Sequence, residues 1–310
     1  MNEFHSGFVA VLGKPNVGKS TLVNAYLGQK IAAVSPRPQT TRRRQLGILT
    51  LPQAQIVFVD TPGVHLPRHK LGQFFNQEAA EALEGVDADL FLVDASMEPD
   101  DEDRRVADML LGQRQGPALF LGLNKIDLVP TPEREARRTV YQALLPGVKP
   151  FLLSASGGEG RAELLAALIG CLPVRPPEFP PEQITDQYER EIAAELIREA
   201  ALVFLREEVP HALAVRLDEF TERGEEGAYI AATLFVERES QKGIVIGEGG
   251  GMLKRIGSLA RREIEAMSDR KVYLNLRVKV EKGWRDNEAA LRRFGYKIKS
   301  SGVKTEKHKK

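Results

Sequence analysis

Between residues 7 and 172, short apolar runs alternate with segments whose apolar residues recur at helical spacing. Runs of this length, bounded by polar turns, are typical of buried strands. They occur at 8–12, 46–51, 55–59, 89–93, 118–123 and 151–153, with helical patterns near 72–84, 102–114, 132–144 and 161–171. The adjacent runs 46–51 and 55–59 predict a hairpin. The alternation favours an α/β fold in which a mostly parallel sheet carries helices on both faces.

The first run leads into a glycine-rich stretch with the phosphate-loop pattern G-x-x-x-x-G-K-[ST]. Its residues are Gly13, Lys14, Pro15, Asn16, Val17, Gly18, Lys19 and Ser20, and a helical pattern follows from Thr21. Glycines let backbone N–H groups turn toward phosphate oxygens, and the N-terminal end of a helix attracts the same anion. The stretch predicts a nucleotide site with Lys19 on the β- and γ-phosphates and Ser20 on Mg²⁺. A glycine turn without a ligand is the alternative.

Three further polar motifs follow later runs, at the sheet edge where such folds bind ligands. Asp60-Thr61-Pro62-Gly63 offers a carboxylate for Mg²⁺ and, at Gly63, an N–H that senses a γ-phosphate. In Asn124-Lys125-Ile126-Asp127, Asp127 can accept two hydrogen bonds from guanine that adenine cannot offer, Asn124 braces the loop and the Lys125 stem covers the base. Ser154-Ala155-Ser156 has small side chains that let a backbone N–H approach guanine O6.

In this order the motifs resemble the G1 to G5 motifs of the translation-factor-like GTPases. The G2 element is the loop Gln39-Thr40-Thr41-Arg42, where the resemblance implies that a threonine closes on Mg²⁺ and the γ-phosphate. Thr41 is favoured and Thr40 is the alternative. The resemblance implies GTP and GDP as ligands, Mg²⁺ held by Ser20, Thr41 and Asp60, and hydrolysis that depends on Lys19, Thr41, Gly63 and Asn16. We interpret Arg42-Arg43-Arg44 as a solvated strand edge, with positioning of phosphate or RNA as the alternative.

Val64 occupies the position at which Ras-type proteins have the glutamine that orients the attacking water. A valine can neither orient nor polarise water, so we expect slow unaided hydrolysis. Asn16 resembles the asparagine of potassium-dependent members, in which a monovalent cation takes the role of an arginine finger, and K⁺ is therefore a candidate cofactor. We interpret the neighbouring His65 as a loop residue, with a general base as the alternative.

A proline-rich stretch separates this half from the rest, with five prolines between residues 173 and 181. Such a stretch predicts an extended, stiff spacer. Beyond it the pattern indicates a helix with a capping box at Asp186 and Glu189, two strands, a glycine loop with helices, and a strand. We expect a G domain at 1–175, a linker at 176–183, a second domain with a C-terminal helix at 184–296 and a basic tail at 297–310.

The glycine loop is Gly247-Glu248-Gly249-Gly250, between an apolar residue and a basic helical pattern. In this order of elements it resembles the G-x-x-G loop of an α+β type-II KH domain, which clamps about four single-stranded nucleotides. The resemblance implies RNA contacts by the loop and by the helix residues Lys254, Arg255 and Arg261. Glu248 departs from the family, where a lysine is usual, and would repel phosphate. A glycine turn in an ordinary α+β domain is the alternative.

Charge adds a local feature to this picture. The net charge of the 310 residues is +1, but residues 242–310 hold about 19 basic and 8 acidic side chains, against about 6 and 16 in 176–241. A cationic end predicts a polyanionic partner. The chain has one cysteine, Cys171, and no apolar run long enough to cross a membrane. With no signal-peptide pattern at the N-terminus, we expect a cytoplasmic protein.

One G domain followed by a type-II KH domain resembles the Era family of ribosome-assembly GTPases. The resemblance implies binding of single-stranded RNA near the 3′ end of small-subunit ribosomal RNA, action in 30S subunit assembly, a monomer, and loose peripheral association with the cell membrane. The predicted function is a GTP-hydrolysing RNA-binding switch. The alternative is a non-enzymatic RNA chaperone that binds GTP without useful turnover. Trp284, Phe294 and Tyr296 could stack on bases, although packing is expected for Trp284.

The identity of Asn16 gives a first prediction. We expect K⁺ to stimulate GTP hydrolysis more than Na⁺ does, because a suitably coordinated cation would stabilise the transition-state charge. Phosphate release would be measured in matched KCl and NaCl buffers. Equal rates in the two salts would contradict the assignment.

Overall fold

Two sheets organise the part of the chain described by the computed structural model, which comprises residues 3–34, 40–64, 67, 69–112, 116–222 and 227–296. The predicted basic tail, Gln39 of the threonine loop and His65 lie outside it. Among the described residues, no helix combines the length and the apolar character that a bilayer span requires.

The first domain is a six-stranded sheet in the order β2-β3-β1-β4-β5-β6. Only the β2–β3 hairpin is antiparallel, and all other neighbours are parallel. The strands are β1 (His5–Leu12), β2 (Gln45–Leu51), β3 (Ala54–Asp60), β4 (Ala88–Asp94), β5 (Ala118–Asn124) and β6 (Pro150–Leu152). The helices are α1 (Lys19–Leu27), α2 (Lys70–Glu81), α3 (Asp101–Leu111), α4 (Arg134–Gln142) and α5 (Arg161–Cys171).

Helices cover both faces of this sheet, as the alternation of strand and helix patterns predicts. One apolar cluster packs Leu22 of α1 and Leu164 of α5 against the sheet, and a second packs Val106 of α3 and Tyr141 of α4 against the opposite face. Every residue of β3 and β4 is buried. Strands buried on both faces read as continuous apolar runs, which is why they were visible in the sequence.

The proline-rich stretch is extended, but it lies along the first domain rather than crossing open space. The Gln55 side-chain oxygen accepts from the N–H groups of Glu178 and Phe179, at 2.8 and 3.0 Å, and its amide nitrogen donates to the Phe179 carbonyl at 2.8 Å. Ile48 N–H donates to Ile184 O at 2.9 Å. Because proline cannot donate from its backbone, few N–H groups remain in this stretch, and the buried Gln55 side chain of β3 pairs with those of Glu178 and Phe179.

The second domain has the predicted element order, with a three-stranded sheet in the order β7-β8-β9. β7 and β8 are antiparallel, whereas β8 and β9 are parallel. The elements are α6 (Glu189–Phe204), β7 (Ala214–Glu222), β8 (Ala228–Val236), α7 (Glu239–Ile246), α8 (Gly251–Ser268), β9 (Val272–Val280) and α9 (Glu288–Arg293). The predicted helix start at Asp186 is wrong: α6 begins at Glu189, and Asp186 Oδ1 accepts from Leu46 N–H at 2.9 Å instead.

An aromatic cluster joins the two domains. Phe74 and Phe75 of α2 pack with Trp284, Phe294 and Tyr296, which follow β9, and all five are buried. The Phe74 and Tyr296 rings lie 5.4 Å apart in an edge-to-face arrangement. Packing was expected for Trp284, but burial also removes Phe294 and Tyr296 from contact with RNA bases in this arrangement. The base-stacking prediction for these residues is therefore not supported.

Because this cluster joins the two domains, the stability of each domain should depend on the other. We expect Phe74→Ala to lower the free energy of unfolding by about 3–5 kcal/mol, the usual cost of removing a buried aromatic ring. It should also shift the emission of Trp284 to longer wavelength, because water would reach the indole of the chain's one tryptophan. Denaturant titration followed by fluorescence measures both effects.

The matched control is Met97→Ala, at a side chain of the first domain that is 59% exposed. It should change stability by less than about 0.5 kcal/mol. Unchanged emission and midpoint in Phe74→Ala would contradict the interface described here.

Candidate functional site

The phosphate loop joins the end of β1 to the start of α1. Lys19, the first residue of α1, is buried, and its Nζ donates to the carbonyls of Gly13 and Lys14, at 3.0 Å each. Gly18 has φ 101°, and a Cβ there would lie 2.2 Å from Asn124 Nδ2, so only glycine fits. A cavity of about 120 Å³ opens here, lined by Pro15, Asn16, Gly18, Lys19, Ser20, Thr21, Ala33, Val34, Thr40, Thr41, Gly63 and Lys125.

Three oxygen-bearing side chains converge beside this loop. Ser20 Oγ donates to Asp60 Oδ2 at 2.6 Å and accepts from Thr41 Oγ1 at 2.8 Å. The carbonyl of Thr40 accepts from Arg198 in the second domain. Of the two alternatives left open by the sequence, the geometry favours Thr41 beside Ser20. Carboxylate and hydroxyl oxygens are the ligands that Mg²⁺ prefers, and these residues fit such an ion together with phosphate oxygens.

Burial moves the charges of this site toward neutrality. It lowers the pKa of Lys19 to about 8, although the Asp60 carboxylate partly opposes the shift. It also raises the pKa of Asp60, against the Ser20 hydrogen bond and the charge of Lys19. A phosphate beside Lys19 and a cation beside Asp60 would reverse both shifts. The site is therefore electrostatically suited to a metal–phosphate ligand.

The predicted guanine motif forms a brace between three loops. Asn124 Nδ2 donates to Val17 O in the phosphate loop at 2.7 Å, and its Oδ1 accepts from Ala155 N–H at 2.8 Å. Lys125 has φ 62°, and its Nζ donates to Asp94 Oδ2 at 2.5 Å. Asp127 is exposed. Ala155 N–H is thus used within the loops, whereas the Asp127 carboxylate is accessible to a base.

Sequence reasoning gave Lys14 no role beyond its place in the loop. Its Nζ donates to Asp100 and Asp103, at 2.7 Å each. Asp100 and Asp103 form the capping box that begins α3, and that spacing of acidic residues was the available signal. The pair ties the phosphate loop to α3.

The motif after β3 packs directly on the phosphate loop. A Cβ at Gly63 would lie 2.5 Å from Pro15 N, so a larger residue would push the two loops apart. Val64 is buried, and its N–H donates to Gly13 O at 3.3 Å. Thr61 and Pro62 lie between this contact and Asp60, with the Thr61 hydroxyl donating to Val11 O at 2.8 Å. The Val64 N–H therefore fastens this motif to the phosphate loop.

Two of the three arginines after Thr41 are not part of a solvated edge. Arg42 is buried and its Nη1 donates to Leu213 O at 2.7 Å, while Arg43 Nη2 donates to Phe294 O at 2.7 Å. Both acceptors belong to the second domain, so the interpretation of these two residues was wrong. Arg44 is exposed. The sequence carried no local signal for this, because the acceptors lie far along the chain.

The predicted RNA loop lies between α7 and α8. Gly247 has φ 71°, and a Cβ there would lie 2.8 Å from Met252 N, so the backbone requires glycine. Gly249 and Gly250 also have positive φ, and Glu248 and Gly249 are exposed. A groove of about 420 Å³ runs from Gly250 between α8 and β9, and both Lys254 and Arg261 line it.

Arg255 does not join the groove. Its guanidinium lies over the Phe204 ring of α6, 4.5 Å from the centroid. Cation–π contact with α6 is thus its observed role, and the prediction that it contacts RNA has no support from this geometry.

Comparisons with known proteins agree with both halves. A family model described as 50S ribosome-binding GTPase matches residues 8–125, and a KH domain model matches residues 208–285. GTPase Era of Lacticaseibacillus paracasei is 46% identical over 299 residues, which cover 96% of this chain and 99% of that protein. GTPase Era of Geobacter metallireducens is 46% identical over 296 residues, covering 95% and 99%. The chain belongs to the GTPase Era family.

Solved Era structures have the same architecture. A structure of Era with MgGDPNP and nucleotides 1506–1542 of 16S ribosomal RNA has 37% identity and a TM-score of 0.90, and covers 95% of this chain and 100% of that one. A variant of Aquifex aeolicus Era bound to GDP·AlF₄⁻ gives the same identity, TM-score and coverage. The predicted family, the G-domain and KH-domain fold and the classification as a GTPase are confirmed.

The lowered pKa of Lys19 predicts a pH dependence for this Era-family protein. Below about pH 8 the nucleotide-free site carries a charged lysine, whereas above it the lysine is neutral. Phosphate favours the charged form, so above pH 8 GDP binding should take up a proton. GDP affinity should then fall by up to about tenfold per pH unit.

Calorimetry at pH 7 and pH 9, in buffers of different ionisation enthalpy, measures the proton uptake. Lys19→Arg is the control, since a guanidinium stays charged across this range and should bind without uptake. Proton release by the unaltered protein at pH 9 would contradict the prediction.

Proposed function

We propose that this chain is a GTP-hydrolysing switch that binds the 3′ end of small-subunit ribosomal RNA during 30S assembly, with the bound nucleotide controlling RNA binding. The observation that carries the proposal is that one short loop, residues 40–43, contacts both the nucleotide site and the second domain. Thr41 Oγ1 lies 2.8 Å from Ser20 Oγ in the nucleotide site, and Arg42 donates to Leu213 of the second domain.

The nucleotide end of the proposal assigns each residue a task. Lys19 leaves the carbonyls of Gly13 and Lys14 for the β- and γ-phosphates, which are stronger acceptors. Ser20 and Thr41 supply oxygens to Mg²⁺, with Asp60 holding the ion's shell. Gly63 N–H donates to the γ-phosphate and so distinguishes GTP from GDP. Because Val64 cannot orient water, hydrolysis is slow, and K⁺ at Asn16 is the proposed helper.

Guanine selection rests on Asp127. Its exposed carboxylate accepts from N1–H and the 2-amino group of guanine, while Asn124 and Ala155 hold the loops in place through their hydrogen bond. Lys125, anchored on Asp94, covers the base with its stem. Ser154 Oγ accepts from Gly157 N–H at 2.9 Å, which supports the loop behind it.

The RNA end uses the groove between α8 and β9. The glycine loop approaches the phosphate backbone closely, and Lys254 and Arg261 supply positive charge along the groove. The related Era complex contains nucleotides 1506–1542 of 16S ribosomal RNA. We propose that the corresponding single-stranded segment binds here. The chain is proposed to act as a cytoplasmic monomer, and loose membrane attachment stays a prediction.

In this proposal, the loop of residues 40–43 couples the nucleotide site to the RNA groove. A turn of Thr41 toward Mg²⁺ and the γ-phosphate would move its neighbours Thr40 and Arg42. Thr40 accepts from Arg198 of α6, and Arg42 donates to Leu213 before β7. Lys30, which follows α1, also bridges to Glu199 of α6 and Glu263 of α8, at 2.7 Å each. Nucleotide state is thereby transmitted to α6 and α8, and α8 forms one wall of the RNA groove.

One experiment tests both ends together. Affinity for a labelled RNA of 16S nucleotides 1506–1542 should differ between GDPNP and GDP. Asp127→Asn should weaken guanine nucleotide binding by at least about 100-fold, because an amide donates where the carboxylate accepted. The response of RNA binding should then return with xanthosine nucleotides, whose 2-carbonyl accepts from the amide.

Asp101→Asn is the matched control, since it makes the same change at an exposed aspartate of α3 whose side chain is 97% exposed. It should keep the response to guanine nucleotides. If the unaltered protein bound RNA equally well with GDPNP and with GDP, the switch would be refuted. Equal affinity for ATP and GTP would refute the guanine assignment.

A further inference from the structure

Two tyrosines form a stacked pair on the outer face of the second sheet. Tyr229 of β8 and Tyr273 of β9 are register partners, with ring centroids 5.6 Å apart and planes 17° from parallel. Their neighbours Ile230 and Val272 belong to the apolar core under the helices. Side chains alternate along a strand, so the pair lies on the face away from the core. Tyr273 is 68% exposed, which leaves one ring face accessible.

The pair lies where two hollows meet. The groove that begins at Gly250 ends at Tyr273, and a second hollow of about 270 Å³ is bordered by Tyr229, Tyr273 and Lys271. Both hollows share Arg261, Val272 and Tyr273 in their walls. A strand of RNA that leaves the groove at this end therefore meets the exposed ring of Tyr273 directly.

The charge around the pair suits a polyanion. Arg261 and Lys271 are exposed beside it, and Arg277 and Lys279 are exposed further along the same face of β9. At about 3.3 Å per residue, Arg277 lies about 13 Å beyond Tyr273. Three acids lie nearby: Glu265, which borders the second hollow, accepts from Val272 N–H, Asp218 accepts from Arg216, and the exposed Glu219 accepts from the Thr221 hydroxyl. An exposed aromatic framed by basic side chains is the surface on which single-stranded nucleic acid stacks.

We propose that the Tyr229–Tyr273 pair is a base-stacking platform that extends RNA binding beyond the groove of the glycine loop. The base that follows the nucleotides in the groove stacks on Tyr273, Tyr229 supports that ring from behind, and Arg261 contacts the phosphate between them. The inference rests on the proposed RNA binding of this domain and adds a contact to it. Stacking on tyrosine tolerates any base, so the platform adds affinity and length rather than sequence selection.

The test compares RNA lengths. Fluorescence anisotropy would measure binding of the RNA of 16S nucleotides 1506–1542 and of tetranucleotides drawn from it. Tyr273→Ala should weaken the long RNA by about 5- to 150-fold, the range for loss of one stacked base. The best-bound tetranucleotide should lose much less affinity, because about four nucleotides fill the groove and Tyr273 borders only its far end. Tyr273→Phe keeps the ring and should bind like the unaltered protein.

Stacking itself can be read from 2-aminopurine placed at successive positions of the long RNA. Quenching at one position should disappear in Tyr273→Ala and persist in Tyr273→Phe. The control Tyr188→Ala removes a tyrosine that is 75% exposed but outside the groove and the second hollow, and it should change neither affinity.

Each other outcome overturns the platform. Unchanged long-RNA affinity in Tyr273→Ala, alongside lost binding in Gly249→Asp, would leave RNA binding by the groove intact and point to a protein occupant of the tyrosine patch. Equal loss for long and short RNA would show that Tyr273 acts only as a wall of the groove, with no base stacked beyond it. Failure of the unaltered protein to bind either RNA would remove the proposed function as well.

Discussion

Two buried arginines hold the nucleotide loop against the second domain. Arg42 reaches from the loop to Leu213 O, and Arg198 reaches from α6 back to Thr40 O. Burying a guanidinium is costly unless its donors find acceptors, and here backbone carbonyls of the opposite domain supply them. The conformation of the loop is therefore coupled to the relative placement of the two domains. Arg42 Nε has no hydrogen-bond partner within the described part of the chain, which lowers the cost of releasing this contact.

Burial also disfavours charged side chains at the nucleotide site. Lys19 and Asp60 are both buried, and burial shifts both pKa values toward the neutral form. Each group is thus destabilised in the charged state that a metal–phosphate ligand requires, and such a ligand stabilises both at once. Lys14, bound to Asp100 and Asp103, attaches the loop to α3. The arrangement favours a nucleotide whose phosphates arrive together with a cation.

The proposed RNA surface of the second domain combines a backbone loop with charged side chains. At Gly247 the loop admits no Cβ, so its shape is set by packing on Met252 rather than by a ligand. Lys254 and Arg261 add charge along the groove, whereas Arg255 is used against Phe204. Through α8 this surface is connected to Lys30 by the ion pair with Glu263. A change in the first domain can therefore reach the groove without passing through the aromatic cluster.

The order of elements and the nucleotide motifs could be predicted from the sequence, because both depend on short-range spacing. Buried parallel strands such as β4 are continuous apolar runs, and the residues from Gly13 to Ser20 must be close neighbours to wrap a phosphate. Boundaries were less predictable: α6 begins three residues after Asp186, because that carboxylate accepts from Leu46 instead.

Only the tertiary structure decided which exposed-looking residues are buried. Arg42 and Leu213 are 171 residues apart in the chain, and no local pattern encodes a hydrogen bond between them. The same holds for Phe294 and Tyr296, whose burial depends on α2, and for the proline stretch, whose path depends on Gln55. Burial is a property of the residues that meet in space, whereas a sequence pattern reports only neighbours along the chain. The motifs of each domain could therefore be predicted from the sequence, but the contacts that join the domains could not.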